Sequence, residues 1–130
     1  MVRGGLTLDA GVLIAVDRSD GRAANLRKFA LRRQLPMKVP AAVLAQAWRG
    51  PSNVRLVRFL REVSIVDLDE PLAKAAGLLC ARAGTSDVVD ASVVVAALGS
   101  GDDVVTTDRS DLERLARAAG GVRVLDFDAL

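Results

Sequence analysis

Short apolar runs of strand character alternate with longer helix-patterned stretches along this chain, and that alternation limits its possible folds more than any other feature. The strand-like segments are Leu6 to Leu8, Met37 to Val39, Ser64 to Val66, Val104 to Thr106 and Val122 to Leu125. Between them, Gly21 to Gln34 carries Ala23, Leu26, Ala30 and Leu31 at helical spacing, and Pro40 to Arg49 opens on a proline suited to a first helical turn. Ser52 to Glu62, Glu70 to Ala83, Asp87 to Leu98 and Asp108 to Ala119 read as further helices, and Val12 to Val16 as a short apolar one. Strands regularly separated by helices predict an α/β fold with a mostly parallel central sheet of about five short strands, covered by helices on both faces. Residues 1–130 are expected to form one domain, long enough to bury a core without disulfides.

Composition narrows the chemistry. The chain has no histidine, which excludes Ser-His-Asp triads and histidine-containing zinc sites, and its one cysteine, Cys80, cannot build a thiolate site. Any chemistry falls to carboxylates. Aromatic residues are only 3% of the chain, so the core is expected to be built of small aliphatic side chains, and aromatic base-stacking platforms are not expected. No stretch approaches the ~20 apolar residues of a membrane-spanning helix, and a soluble cytoplasmic protein is expected.

The net charge is +2, too small by itself to indicate a nucleic-acid binder, but its distribution is uneven. Basic residues gather at Arg22, Arg27, Lys28, Arg32, Arg33 and Lys38, and again at Arg49, Arg55, Arg58 and Arg61. Acidic residues gather from Glu62 onward. Such a division suits a phosphate backbone held over an acidic pocket, and it equally describes ordinary solvated helix faces.

Five aspartates stand where strands end or helices begin: Asp9 after the first strand, Asp87 and Asp90 at one helix start, and Asp108 and Asp111 at another. Singly, each suits a helix cap or first turn. Together they matter more, because a parallel sheet brings such boundaries to one edge, where clustered carboxylates raise one another's pKa. A hard divalent cation, Mg²⁺ or Mn²⁺, prefers oxygen ligands and offsets that repulsion. Thr106 and Thr107 add hydroxyls that either orient a carboxylate or simply complete a strand.

Four stretches carry a resemblance: Leu8-Asp9-Ala10-Gly11-Val12-Leu13-Ile14-Ala15, Val39 through Gly50, Asp87-Val88-Val89-Asp90-Ala91, and Val105 through Leu112. In order and spacing they resemble the PIN-domain ribonucleases, specifically the VapC-like toxins of bacterial toxin–antitoxin pairs. The resemblance implies a metal-dependent endoribonuclease in which Asp9, Asp90 and Asp108 hold Mg²⁺ or Mn²⁺, Asp87 and Asp111 support them, and a metal-activated water cleaves an RNA phosphodiester. It also implies a cognate antitoxin that covers the acidic pocket, often with a basic side chain, and a homodimer or toxin–antitoxin hetero-oligomer. The family's second acidic position, usually Glu, is occupied here by Gln46, which keeps an oxygen donor but removes a negative charge.

Two other readings remain open. One is a PIN-like module with impaired catalysis that binds RNA or protein, favoured by Gln46; the other is a receiver-like regulator with an acidic Mg²⁺ pocket. Arg22, Arg27 and Arg49 are candidates to position an RNA backbone, and Trp48 reads as a core or interface anchor or a base-stacking residue. Leu26, Phe29, Val57 and Phe59 are candidates for an apolar antitoxin surface, each also suited to the core.

Overall fold

A computed structural model of the chain describes residues 4–130, leaving residues 1–3 of the expected domain outside the described part. The elements follow the order β1 (Leu6–Leu8), α1 (Ala10–Asp17), α2 (Gly21–Arg33), β2 (Met37–Pro40), α3 (Ala41–Ala47), α4 (Val54–Leu60), β3 (Val63–Val66), α5 (Glu70–Ala83), α6 (Val88–Ser100), β4 (Asp103–Thr106), α7 (Arg109–Ala119) and β5 (Val124–Asp126), closed by a 3₁₀ turn at Phe127–Ala129. Among the described residues, the five strands form one sheet in the order β3-β2-β1-β4-β5, and every pairing is parallel. The expected α/β architecture is thus the observed one.

Central β1 shows why the sheet is doubly covered. Leu6, Thr7 and Leu8 all have no exposed surface, although successive side chains of a strand point to opposite faces. Both faces must therefore be packed, and α6 lies against β1, β2 and β4 while α1 reaches β4. Burying a leucine such as Leu6 or Leu8 contributes roughly 2 kcal/mol, so these short strands hold mainly through their packing. Leu26 and Phe59 are fully buried in the same core, which corrects their candidacy for an exposed partner surface; Phe29 and Val57 are half-buried.

Helix ends follow the sequence signals. Asp20, Asn53, Asp69 and Asp87 each cap a helix by accepting from a backbone N–H of its first turn. Gly84 and Gly101 end α5 and α6 in the left-handed conformation that glycine adopts without penalty. The last strand begins later than expected, at Val124 rather than Val122, because Gly120 and Gly121 both take positive φ and hold the chain in a turn there.

After β1 the chain winds outward through β2 to β3, then returns to place β4 on the other side of β1. The winding direction therefore reverses between β1 and β4. In open parallel sheets, ligands bind beyond the carboxyl ends of the strands at such a reversal. Asp9 immediately follows β1, and Asp108 follows β4 by one residue.

Candidate functional site

Asp9 is anchored by the two strands that flank the reversal. Its backbone N–H donates to Val105 O at 3.2 Å, one carboxylate oxygen accepts from the Val12 N–H at 3.2 Å, and the other accepts from the Thr106 hydroxyl. Only 4% of the residue is exposed. Burial pushes its pKa up, against the pull of Thr106 and the backbone N–H groups toward the charged form. Capping and site placement therefore coexist in Asp9.

Thr106 serves as a bracket, since the hydroxyl that donates to Asp9 also accepts from the Asp108 N–H at 2.8 Å. Its neighbour Thr107 packs against the start of α1, where a Cβ on Gly11 would overlap its hydroxyl. Glycine at position 11 is what lets α1 approach the β4 loop. Asp108 occupies the N-cap position of α7 without making a capping bond; its carboxylate accepts instead from the Ser110 hydroxyl at 3.4 Å and meets Asp111.

Asp87 caps α6 by accepting from the Asp90 N–H at 3.0 Å, and is itself steadied by its own N–H donating to Thr85 Oγ1 at 3.2 Å. Asp87, Asp90 and Asp111 line a pocket of about 80 Å³ together with Thr85, Arg114 and Leu115. Burial, then the Asp87 charge and a hydrogen bond with that carboxyl, then the Asp9 and Asp111 charges, push the Asp90 pKa to about 7. Asp111 is also raised, first by its hydrogen bond to Asp108 and by that residue's charge, while Arg114 pulls the other way. Two pairs of neighbouring carboxylates, Asp87 with Asp90 and Asp108 with Asp111, thus crowd one another at the starts of α6 and α7.

The fold thus brings all five aspartates to one region. Their donors are all oxygen and their summed charge is strongly negative, a chemistry that suits a hard divalent cation. Among the described residues, no three acidic or thiol side chains stand close enough to form a finished metal cage.

Gln46 lies on α3, which packs against α1 and α6, the helices that begin at Asp9 and Asp87. It is exposed near the end of α3 and makes no side-chain hydrogen bond among the described residues. Arg22 and Arg27 are occupied elsewhere: Arg22 pairs with Asp20 and Asp128, and Arg27 with Glu62 at 2.9 Å. Cys80 is buried in α5 as its apolar context implies. Sequence reasoning did not single out Thr85 or Arg114. The latter stands three positions after Asp111 on α7, the spacing that places two side chains on one helix face, and that was the available signal.

Comparison with known proteins supports the fold. Similar structures include a chain of VapBC2 from Rickettsia felis bound to a DNA fragment from their promoter, with 16% identity, a TM-score of 0.70 and coverage of 93% of this chain and 97% of that one. Also similar are FitAB bound to an IR36 DNA fragment, at 18% identity, TM-score 0.69 and 94% of each chain, and FitAcB from Neisseria gonorrhoeae, at 17%, 0.68, and 96% and 99%. At these identities the likeness is one of fold. No curated protein matches the chain by sequence. The PIN domain model matches residues 6–118, from the first residue of β1 to the penultimate residue of α7, and on that match the chain belongs to the PIN domain family.

Proposed function

We propose that this chain is a divalent-metal-dependent endoribonuclease, the toxin of a toxin–antitoxin pair, acting as one domain over its 130 residues. The observation that carries the reading is the gathering of aspartates beyond the ends of β1 and β4, where Asp90 lines one pocket with Asp87 and Asp111 and its pKa is pushed up to about 7 by burial and by the charges of Asp87, Asp9 and Asp111. A cluster that raises its own proton affinity gains most from a bound cation. Membership of the PIN domain family and a fold shared with a chain of VapBC2 support the same reading.

Asp9, Asp90 and Asp108 would hold Mg²⁺ or Mn²⁺, with Asp87 and Asp111 close enough to assist. Such an ion supplies Lewis acidity toward the phosphodiester and its attacking water. The protein's own part is to position and to exclude. Thr106 fixes Asp9 relative to Asp108, the Val12 N–H orients the second Asp9 oxygen, and burial of Asp9 keeps competing water from that carboxylate. Arg114 lines the pocket beside Asp111 while its guanidinium donates to Gly84 O at 3.2 Å, and it would be the pocket's cationic group to attract the scissile phosphate. A cognate antitoxin presenting an arginine to these carboxylates would compete for the same place through paired hydrogen bonds. We place the protein in the cytoplasm, as a homodimer or a hetero-oligomer with that antitoxin.

Incubating partner-free protein with total tRNA, ribosomal RNA and mRNA in Mg²⁺ or Mn²⁺ tests this. Discrete cuts are expected, absent with chelator and absent from an Asp9→Asn, Asp90→Asn variant. Absence of cuts from every pool with folded protein overturns it. Exposed Gln46, lacking the charge of a glutamate, favours a second reading, a PIN-like binding module with impaired catalysis. A large activity gain in Gln46→Glu with Mn²⁺ would support that impairment.

A further inference from the structure

We infer that a cleft between the end of α1, the α3–α4 loop and the first turns of α4 binds the phosphate backbone of single-stranded RNA through Arg49, Arg55 and Arg58, with a neighbouring base against Trp48. The inference rests on the nuclease reading and adds to it where the substrate strand lies. The cleft has a volume of about 590 Å³, and Asp17, Asn53, Arg49, Arg55 and Arg58 are among its walls. Three guanidinium groups face one carboxylate, so the cleft is cationic.

Several arginines elsewhere are already neutralised. Arg22 and Arg27 sit in ion pairs, as do Arg109 with Glu113 and Arg123 with Asp103. Arg55 and Arg58 are exposed, and their side chains have no ion pair or hydrogen bond among the described residues. Standing three apart on α4, they share a helix face. Arg49 donates to the carbonyls of Ala45 at 3.3 Å and Trp48 at 2.7 Å, which fixes its side chain without neutralising its charge.

Two further placements argue for RNA over an acidic protein segment. An apolar hollow of about 400 Å³, lined by Ala41, Leu44, Ala45, Trp48 and Leu60, adjoins the cleft through the consecutive residues Trp48 and Arg49. Cationic groups beside an aromatic-bearing apolar surface suit a base and its phosphate together. In addition, α1 joins the cleft to the acidic site: Asp9 caps its first turn and Asp17 ends it. Eight residues of helix span about 12 Å, a distance that a short extended strand bridges. A strand held in the cleft can therefore reach the carboxylates.

Trp48 is the only tryptophan and the chain has no tyrosine, so intrinsic fluorescence reports from the proposed site. A ten-nucleotide oligouridine, titrated into wild-type protein in chelator, is expected to quench Trp48 saturably. The Arg55→Glu, Arg58→Glu variant should bind at least about 10-fold more weakly, with the salt dependence flattened by about 0.7 for each phosphate no longer held. Asp17→Asn should bind about 2-fold more tightly, and Arg27→Ala should match wild type. Quenching that persists in the double variant, or that never occurs, overturns the proposal, and so does an equal response to a poly-glutamate peptide. Cleavage in Mn²⁺, assayed separately with tRNA, decides the nuclease reading: an active enzyme whose double variant binds and cuts normally keeps that reading and loses this one.

Discussion

Asp9 and Asp102 are equally buried, each 4% exposed, and stand at opposite ends of the central strands. Before β4, Asp102 accepts from the Gly5 N–H at 2.5 Å and the Thr7 hydroxyl at 2.8 Å, and pairs with the Lys38 ammonium at 2.9 Å. Every demand of that carboxylate is met within the fold. After β1, Asp9 has only neutral donors, and its charge falls on Asp90, already crowded by Asp87 and Asp111. One end of the sheet answers a buried acid with a cation, and the other gathers acids and leaves the cation to be supplied. The difference separates an aspartate that holds the fold from aspartates poised to bind.

The comparison breaks most visibly if Asp102 is removed. Asp102→Ala leaves Lys38 without its anion and the Gly5 N–H without its acceptor, and should cost about 3–5 kcal/mol in chemical denaturation. At the other end, Asp90→Asn should lower metal-dependent RNA cleavage by about 100-fold, close to 3 kcal/mol in the barrier, with the fold retained. Were Asp90→Asn to destabilise the protein as much as Asp102→Ala, the distinction would fail. Thr106→Val should cost about 1–2 kcal/mol of stability by removing a buried hydroxyl that serves both Asp9 and Asp108, and cleavage should fall with it.

Acidity sharpens the contrast further. Folded Asp90 titrates near 7 against an ordinary 3.8, so between those values the folded chain holds a proton that the unfolded chain has lost. Stability of the metal-free protein should therefore decline as pH rises from about 4 to about 7, by roughly 1–2 kcal/mol after the screening a half-exposed group receives. Thermal melts across that range should show the decline in wild type, less of it with Mn²⁺ present, and a smaller one in Asp90→Asn, where the raised Asp9 and Asp111 remain. The smallest expected effect is that of Gln46→Glu, which should tighten Mn²⁺ binding measured by calorimetry by about 5-fold, or about 1 kcal/mol.

Much of this is legible locally. Strand ends, helix starts and turn glycines are short-range signals, and the strand-end positions of Asp9 and Asp108 point to one edge, whereas no local signal tells that Asp87 and Asp111 reach it. Asp102 reads in sequence only as part of a turn, because its partners Gly5, Thr7 and Lys38 lie 97, 95 and 64 residues away. The same reason hides which arginines are neutralised: Arg22 finds Asp128 across 106 residues. Gln46 is visible as a departure from the family pattern, yet its exposed place on α3 depends on packing that no local pattern encodes.

The central position of β1 also orders events during synthesis. Leu6 and Thr7 have partners in nearby β2, but the second neighbour of β1 is β4, and the Thr106 hydroxyl that holds Asp9 comes 97 residues later. Chains grow from the amino end, and contacts between distant residues form late. A ribosome must therefore release most of the polypeptide before the carboxylates can meet, and the nascent chain spends nearly all of its making without an assembled site.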